Sequence, residues 1–278
     1  MKIKTPQLLA ACLALMVFAC ASVVRADEPV APEESKQTPS ASELAKLKQN
    51  PVSGLRQVIL QTVVNPDISD SGKTQAIYSI QPVFPIGINE DWKLITYSIL
   101  PVIYQPGLDG DDSSTGLGDT LINLFFSPKK PGAVVWGVGP AIMLPTRTDP
   151  ALGSDRLGLG PTAVIFYAKD AWSAGLVLQN VWSLGGEGGN KVNTLGAQYI
   201  FNYNLADGWF LLSNATISAN WLKDKSDRWT IPVGGGVGRV FNIGKQAVSL
   251  SAQMFYNIVA PSSGSDVTGV VQLTFMFP

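Results

Sequence analysis

Strict alternation over long runs is the feature that most constrains this chain. In 246–258, Val248, Leu250, Ala252, Met254 and Tyr256 oppose Ser249, Ser251, Gln253 and Asn257. Side chains that share a face every second residue define a β-strand. In 194–203, Leu195, Ala197, Tyr199, Phe201 and Tyr203 oppose Gly196, Gln198 and Asn202. In 133–144, Val134, Trp136, Val138, Ile142 and Leu144 oppose Gly137, Gly139 and Ala141. Twelve strands are predicted in all: 54–64, 75–84, 92–104, 118–126, 133–144, 158–168, 172–184, 194–203, 209–221, 228–241, 246–258 and 266–277.

Most of these runs approach or exceed ten residues. Strands of soluble proteins cluster near five or six, whereas a tilted strand crossing a bilayer needs about 9–11. The connections after the first, third, fifth and seventh strands are long, and those after the second, fourth, sixth and eighth are shorter. That alternation marks an outer-membrane barrel, although the contrast weakens in the last third. Trp92, Trp172, Trp209 and Trp229 begin strands; Tyr104, Trp182, Tyr203 and Trp221 end them. Rings at strand ends sit where lipid headgroups would be. A soluble β-sandwich also alternates, but it does not explain this placement. The expected fold is therefore all-β: a transmembrane, antiparallel, up-and-down barrel of about twelve strands over 54–278, with a flexible N-terminal arm.

An even strand count brings both barrel ends to one side, where 266–277 can pair with 54–64 and abolish both edges. The aromatic ending at Phe275 and Phe277 resembles the assembly signal read by the barrel-insertion machinery. Pro278 follows it and, lacking an N–H, suits a strand end.

The first residues read as a secretory signal peptide over 1–26. Lys2 and Lys4 precede an apolar run, and Val24-Arg25-Ala26 ends it as a small-residue cleavage site. Val17-Phe18-Ala19-Cys20 faintly resembles a lipoprotein site, with Phe18 a poor fit. Both cysteines, Cys12 and Cys20, fall in this leader, so the mature chain is expected to hold no disulfide. The arm, 27–53, opens with Pro, Glu, Ser and Ala and then offers a short helix over 42–49. It is either a plug or a tether; the tether is favoured because short isolated helices are marginal.

Charge and residue type narrow the chemistry. Basic and acidic residues nearly balance, 20 against 21, which leaves no basic footprint for nucleic acid. Charged residues make up 15%, against roughly 25% in average soluble proteins. With no histidine, Ser-His-Asp hydrolysis and histidine metal sites are excluded. No catalytic residue, metal or cofactor is expected, and the chain is read as no enzyme. The loop 108–116 offers Asp109, Asp111 and Ser113 at calcium-loop spacing, but the required Gly and Glu are missing, so a solvated acidic loop is expected.

The useful candidates are polar side chains of the inward face. They are Gln57, Gln61, Ser79, Gln81, Asp119, Asn123, Gln198, Asn202, Asn214, Thr216, Asn220, Ser249, Ser251, Gln253, Asn257 and Gln272. Mostly neutral amides and hydroxyls, they would favour uncharged solutes, or else bond one another and fill a closed interior. Arg239 is ambiguous: parity groups it with Trp229, Ile231 and Val233, while a bulge would turn it inward.

Several segments resemble one family. They are Asn50-Pro51-Val52, QPVFPIGINEDWKLITYSILPVIYQP over 81–106, GLGDTLINLFFSPKKP over 116–131, WGVGPAIMLPT over 136–146 and LGLGPTAVIFY over 157–167. Together they resemble the bacterial outer-membrane transporter family associated with a MetA pathway of phenol degradation, some of whose members carry the name neuromedin U. The resemblance implies an envelope barrel passing small hydrophobic, including aromatic, compounds. It carries over no site residues. The expected location is the outer membrane of a Gram-negative envelope. The expected partners are its lipid, the barrel-assembly machinery and a small solute. The expected role is a porin-like channel, the alternative being a non-conducting structural or partner-binding barrel.

Overall fold

A computed structural model describes residues 41–108, 110–130, 132–184 and 191–277. The signal peptide expected over 1–26, residues 27–40 of the arm, and Asp109 of the acidic loop lie outside the described residues.

A helix, α1 (Ala41–Gln49), precedes the strands β1 (Arg56–Asn65), β2 (Gln75–Gly87), β3 (Trp92–Gln105), β4 (Ser114–Leu117), β5 (Thr120–Pro128) and β6 (Val134–Leu144). There follow β7 (Gly158–Lys169), β8 (Trp172–Ser183), β9 (Asn193–Asn204), β10 (Trp209–Asn220), β11 (Trp229–Ile243), β12 (Gln246–Val259) and β13 (Val267–Phe277). Each strand pairs antiparallel with its neighbours, and β13 pairs with both β12 and β1. Phe277 lies opposite Arg56 and Phe275 opposite Val58, so the last strand closes the ring on the first. The result is a closed twelve-stranded antiparallel barrel with one short extra strand. That strand is β4, the outer piece of the fourth wall strand. Val102 of β3 pairs with Leu117 of β4 and Ile99 with Leu121 of β5, and the break falls at Gly118–Asp119.

The strand ends at 87 and 92, 128 and 134, 169 and 172, 204 and 209, and 243 and 246 lie on the side of Arg56 and Phe277, and those at 65 and 75, 105 and 114, 144 and 158, 183 and 193, 220 and 229, and 259 and 267 on the other. The long-short alternation thus holds into the last third. Short turns and both barrel ends together mark the periplasmic side.

Tyr78, Trp136, Ile165, Leu178, Leu211, Leu250, Met254 and Val271 are exposed on the outer face. Such a continuous apolar surface is stable only against hydrocarbon. Near the periplasmic rim, Trp172 packs on Tyr203 with ring centroids 4.4 Å apart, and Trp92 meets Trp136 edge-on at 6.0 Å. At the opposite rim Trp221 and Trp229 meet at 5.5 Å. Arg239 is exposed on the outer face with its guanidinium 5.2 Å from the Trp209 ring centroid, which settles its ambiguity in favour of parity.

The described part of the arm, 41–53, is seated in the barrel. Leu44 and Ala45 of α1 are buried with Leu55, Phe210, Leu212, Val240, Ala247 and Met276. Val52 is wholly buried among Val83, Ile95, Phe125, Val164, Phe166, Val177 and Ile200. The helix is marginal by itself, but the periplasmic half of the barrel supplies the apolar partner that an isolated helix lacks.

Candidate functional site: the lumen and a broken seam in the wall

Above the arm the lumen opens into a cavity of about 440 Å³. Among the described residues, no charged side chain lines it. One part of the wall is apolar, with Ile77, Ile99, Pro101, Val177, Phe255 and Val270. Amides and hydroxyls on the same strands also line the cavity and bond one another. Gln81 donates to Gln61 at 3.0 Å and to Ser79 at 2.8 Å, and the Tyr97 hydroxyl donates to Gln81 at 2.8 Å. Towards the mouth, Thr268 donates to Asn65, Asn65 to Gln75 and Gln75 to Gln105, at 2.9, 2.8 and 2.6 Å. Toward the periplasm the space narrows to about 100 Å³ between the wall and Lys48, Gln49 and Pro51.

The residues singled out in the sequence fall in several places. Gln61, Ser79, Gln81, Gln198, Asn214, Thr216 and Asn257 line the main cavity. Gln57, Asn202 and Gln272 border the narrow space, as Gln198 and Asn214 also do. Asn123, Ser249, Ser251 and Gln253 are buried. Asn220 lies at the mouth beside Ser218 and Thr230. Asp119 stands apart: at the break between β4 and β5 it accepts from the backbone N–H of Ser154 in the 145–157 loop. The apolar wall was not singled out, although Ile77 shares parity with Ser79 and Gln81, and Phe255 with Gln253.

The arm is pinned by polar contacts as well. Gln49 donates to Asn204 at 2.8 Å and accepts from Ser173 at 2.8 Å, while Lys93 donates to the Val52 carbonyl at 2.8 Å. Lys48 lies 5.2 Å from the Phe210 ring centroid, and burial lowers its amine from 10.5 to about 8.

The ladder of the wall is interrupted most widely in one place. β10 and β11 pair at Leu212–Gly236 and again at Ser218–Thr230, with no ladder pair between them. Residues 213–217 thus face 231–235 unpaired. Shorter interruptions of two pairs occur at Pro82, Pro140 and Pro161. Three causes converge at the longer one. Pro232 has no N–H to give. The register of β11 on β12 slips between Ile231 and Pro232. Gly234 and Gly236 let β11 press onto β12, since a Cβ added there would stand 2.1 Å from the Met254 carbonyl oxygen and 1.8 Å from that of Ala252. Side chains take over for the missing ladder: Ser213 donates to the Gly234 carbonyl at 2.6 Å, Tyr199 to the Pro232 carbonyl at 3.2 Å, and the Asn214 N–H to Gln253 at 2.9 Å. Beside this seam the cavity reaches into the plane of the wall. β10 contributes Asn214, Thr216 and Ser218 from one face and Ala215 from the other, whereas every other strand lines the cavity with a single parity.

No protein-family model matches the chain, and no curated protein matches it in sequence. Its fold is similar to that of solved outer-membrane barrels. The "COG4313 outer membrane channel from Pseudomonas putida F1" superposes with a TM-score of 0.62 at 14% identity, over 90% of this chain and 100% of that one. The NanC porin gives 0.48 at 9% identity, over 80% and 99%. Outer membrane phospholipase A from Escherichia coli gives 0.45 at 15% identity, over 87% and 99%. That barrel is an enzyme, which corrects the expectation that this chain is none: barrels of this kind serve catalysis as well as passage, and the fold is ambiguous between them. What the closed ring, its apolar outer face and the likeness to the Pseudomonas putida barrel establish together is that the chain is an outer-membrane β-barrel.

Proposed function

We propose that the protein is an outer-membrane channel for small, uncharged, largely apolar solutes, aromatic ones included. The solute enters from the extracellular mouth and leaves sideways through the β10–β11 seam into the bilayer. The observation that carries this reading is the uncharged cavity of about 440 Å³ that abuts the longest interruption in the ladder of the wall. Its volume lies within the roughly 300–1,000 Å³ of small-molecule sites. The apolar side chains let a solute leave water, and the amides among them hold one polar group without requiring charge. Unpaired backbone in hydrocarbon costs several kcal/mol per group, so an interrupted ladder at membrane depth is tolerated only where it borders a cavity. Along the barrel axis the way is filled by α1 and Val52. The resemblance to the phenol-associated transporter family fits the solute class.

The test compares cells that express the chain with cells that do not. Uptake of N-phenyl-1-naphthylamine, a neutral aromatic dye bright only in lipid, reads apolar passage. Swelling of proteoliposomes in arabinose reads polar passage. Faster dye uptake with little swelling is expected; no protein-dependent movement of either would defeat the channel reading. The packed periplasmic half favours one alternative, a non-conducting barrel, which predicts that outcome.

A further inference from the structure

The arm and the seam are joined by buried hydrogen bonds. Gln49, the last residue of α1, accepts from the Ser173 hydroxyl at 2.8 Å. Ser173 accepts from the Asn202 amide at 3.1 Å, and Asn202 accepts from the Asn214 amide at 3.3 Å. Asn214 lies in the unpaired stretch of β10. Its carboxamide oxygen accepts the Phe201 N–H at 3.1 Å, and its own N–H reaches past β11 to Gln253 on β12 at 2.9 Å. Gln49, Ser173, Asn202 and Gln253 are each at most 7% exposed. Buried amides cannot exchange these partners for water, so losing one leaves the next unsatisfied, at about 1–3 kcal/mol per group.

We propose that the seated arm holds the seam shut through this relay, and that release of Gln49 loosens Asn214 and opens the wall. Closure at the seam depends on side chains in place of ladder bonds, and Asn214 carries one of them, through its backbone N–H to Gln253, while its carboxamide ties the same residue to β9. With Gln49 withdrawn, Ser173 and then Asn202 lose a partner, and Asn214 loses the neighbour that orients its amide. Arm and side opening are thereby one coupled device: the axial plug and the lateral gate are released together. This proposal rests on the seam being the exit, but its test needs no solute.

The test places a reporter thiol at the seam by Ala215→Cys, in a full chain with Cys12→Ala and Cys20→Ala. Its rate of reaction with a lipid-soluble maleimide is followed in proteoliposomes. Gln49→Leu keeps the bulk and removes the hydrogen bonds; Asn202→Leu breaks the relay farther along. Each is expected to speed labelling several-fold, and the double variant is expected to be no faster than either, since both cut the same path. Unchanged labelling in Gln49→Leu, or increments that multiply in the double variant, would overturn the relay. Folding is checked by the mobility difference between unheated and boiled samples in detergent gels, and Ser173→Ala replaces Asn202→Leu if that variant does not fold. A relay that passes this test while no dye or sugar moves would defeat the channel reading alone.

Discussion

Lys48 shows how one residue can oppose the element that carries it. It rides on α1, with its ammonium 5.2 Å from the Phe210 ring centroid, and burial lowers its affinity for a proton. The depressed amine penalises the seated arm fully below about pH 8, and the penalty fades as pH rises from about 8 to 10.5, where only the free arm still holds the proton. Seating is therefore predicted to tighten over that interval, read as the mobility of a spin label attached at Leu47→Cys. Lys48→Met should abolish the dependence and favour the seated arm at neutral pH, by on the order of 1–3 kcal/mol. Glycine at 236 is required for a different reason: a methyl there would stand 1.8 Å from the Ala252 carbonyl oxygen. Gly236→Ala should destabilise the barrel by about 1–3 kcal/mol, seen as a lower urea midpoint for the folded gel band. Neither role was legible in the sequence. Parity assigns Gly236 a face but not the distance to the next strand, and a lysine in a short helix looks solvated until the barrel surrounds it.

At the scale of elements, the strands were the most legible part because their signal is local. Two-residue periodicity and aromatic ends place β8 and β12 within a residue or so of where they lie. The fourth strand was misjudged at its start: Ser114-Thr115-Gly116-Leu117 is short and polar, and only pairing with Val102–Gln105 makes it a strand. The arm was misjudged for a related reason. Its burial depends on residues far away in sequence, such as Phe210 and Met276, and no local pattern names them. If α1 and Val52 are what fill the periplasmic half, removal of 27–53 should raise conductance in planar bilayers and speed arabinose swelling. The chain should still insert, because β1 and β13 retain their full pairing. Conductance equal to that of the full chain would show that something other than the arm closes the axis.

The whole molecule combines a closed ring, an apolar belt and a neutral interior, and each follows from the one before. Closure satisfies the backbone except where the ladder is interrupted, and at the longest interruption, between β10 and β11, side chains substitute for it. The inner polar residues were visible in the sequence as a list of amides, whereas the apolar residues that share their strands and parity were not, because an inward Ile or Phe looks the same as an outward one until parity is applied strand by strand. The seam had a partial signal in Pro232 and Gly234-Gly235-Gly236 within one predicted strand. Removing the hydroxyl latch by Ser213→Ala and Tyr199→Phe together should speed dye uptake without changing arabinose swelling. The most direct measurement of the account joins the two edges of the gap. Ala215 and Val233 face one another in the register set by Leu212–Gly236 and Ser218–Thr230. With Cys12→Ala and Cys20→Ala, the Ala215→Cys/Val233→Cys chain would be cross-linked in cells by oxidation or a short bis-thiosulfonate. Uptake of N-phenyl-1-naphthylamine should fall to the level of cells without the protein and recover on reduction. Equal uptake in the cross-linked and reduced states would contradict passage through the wall.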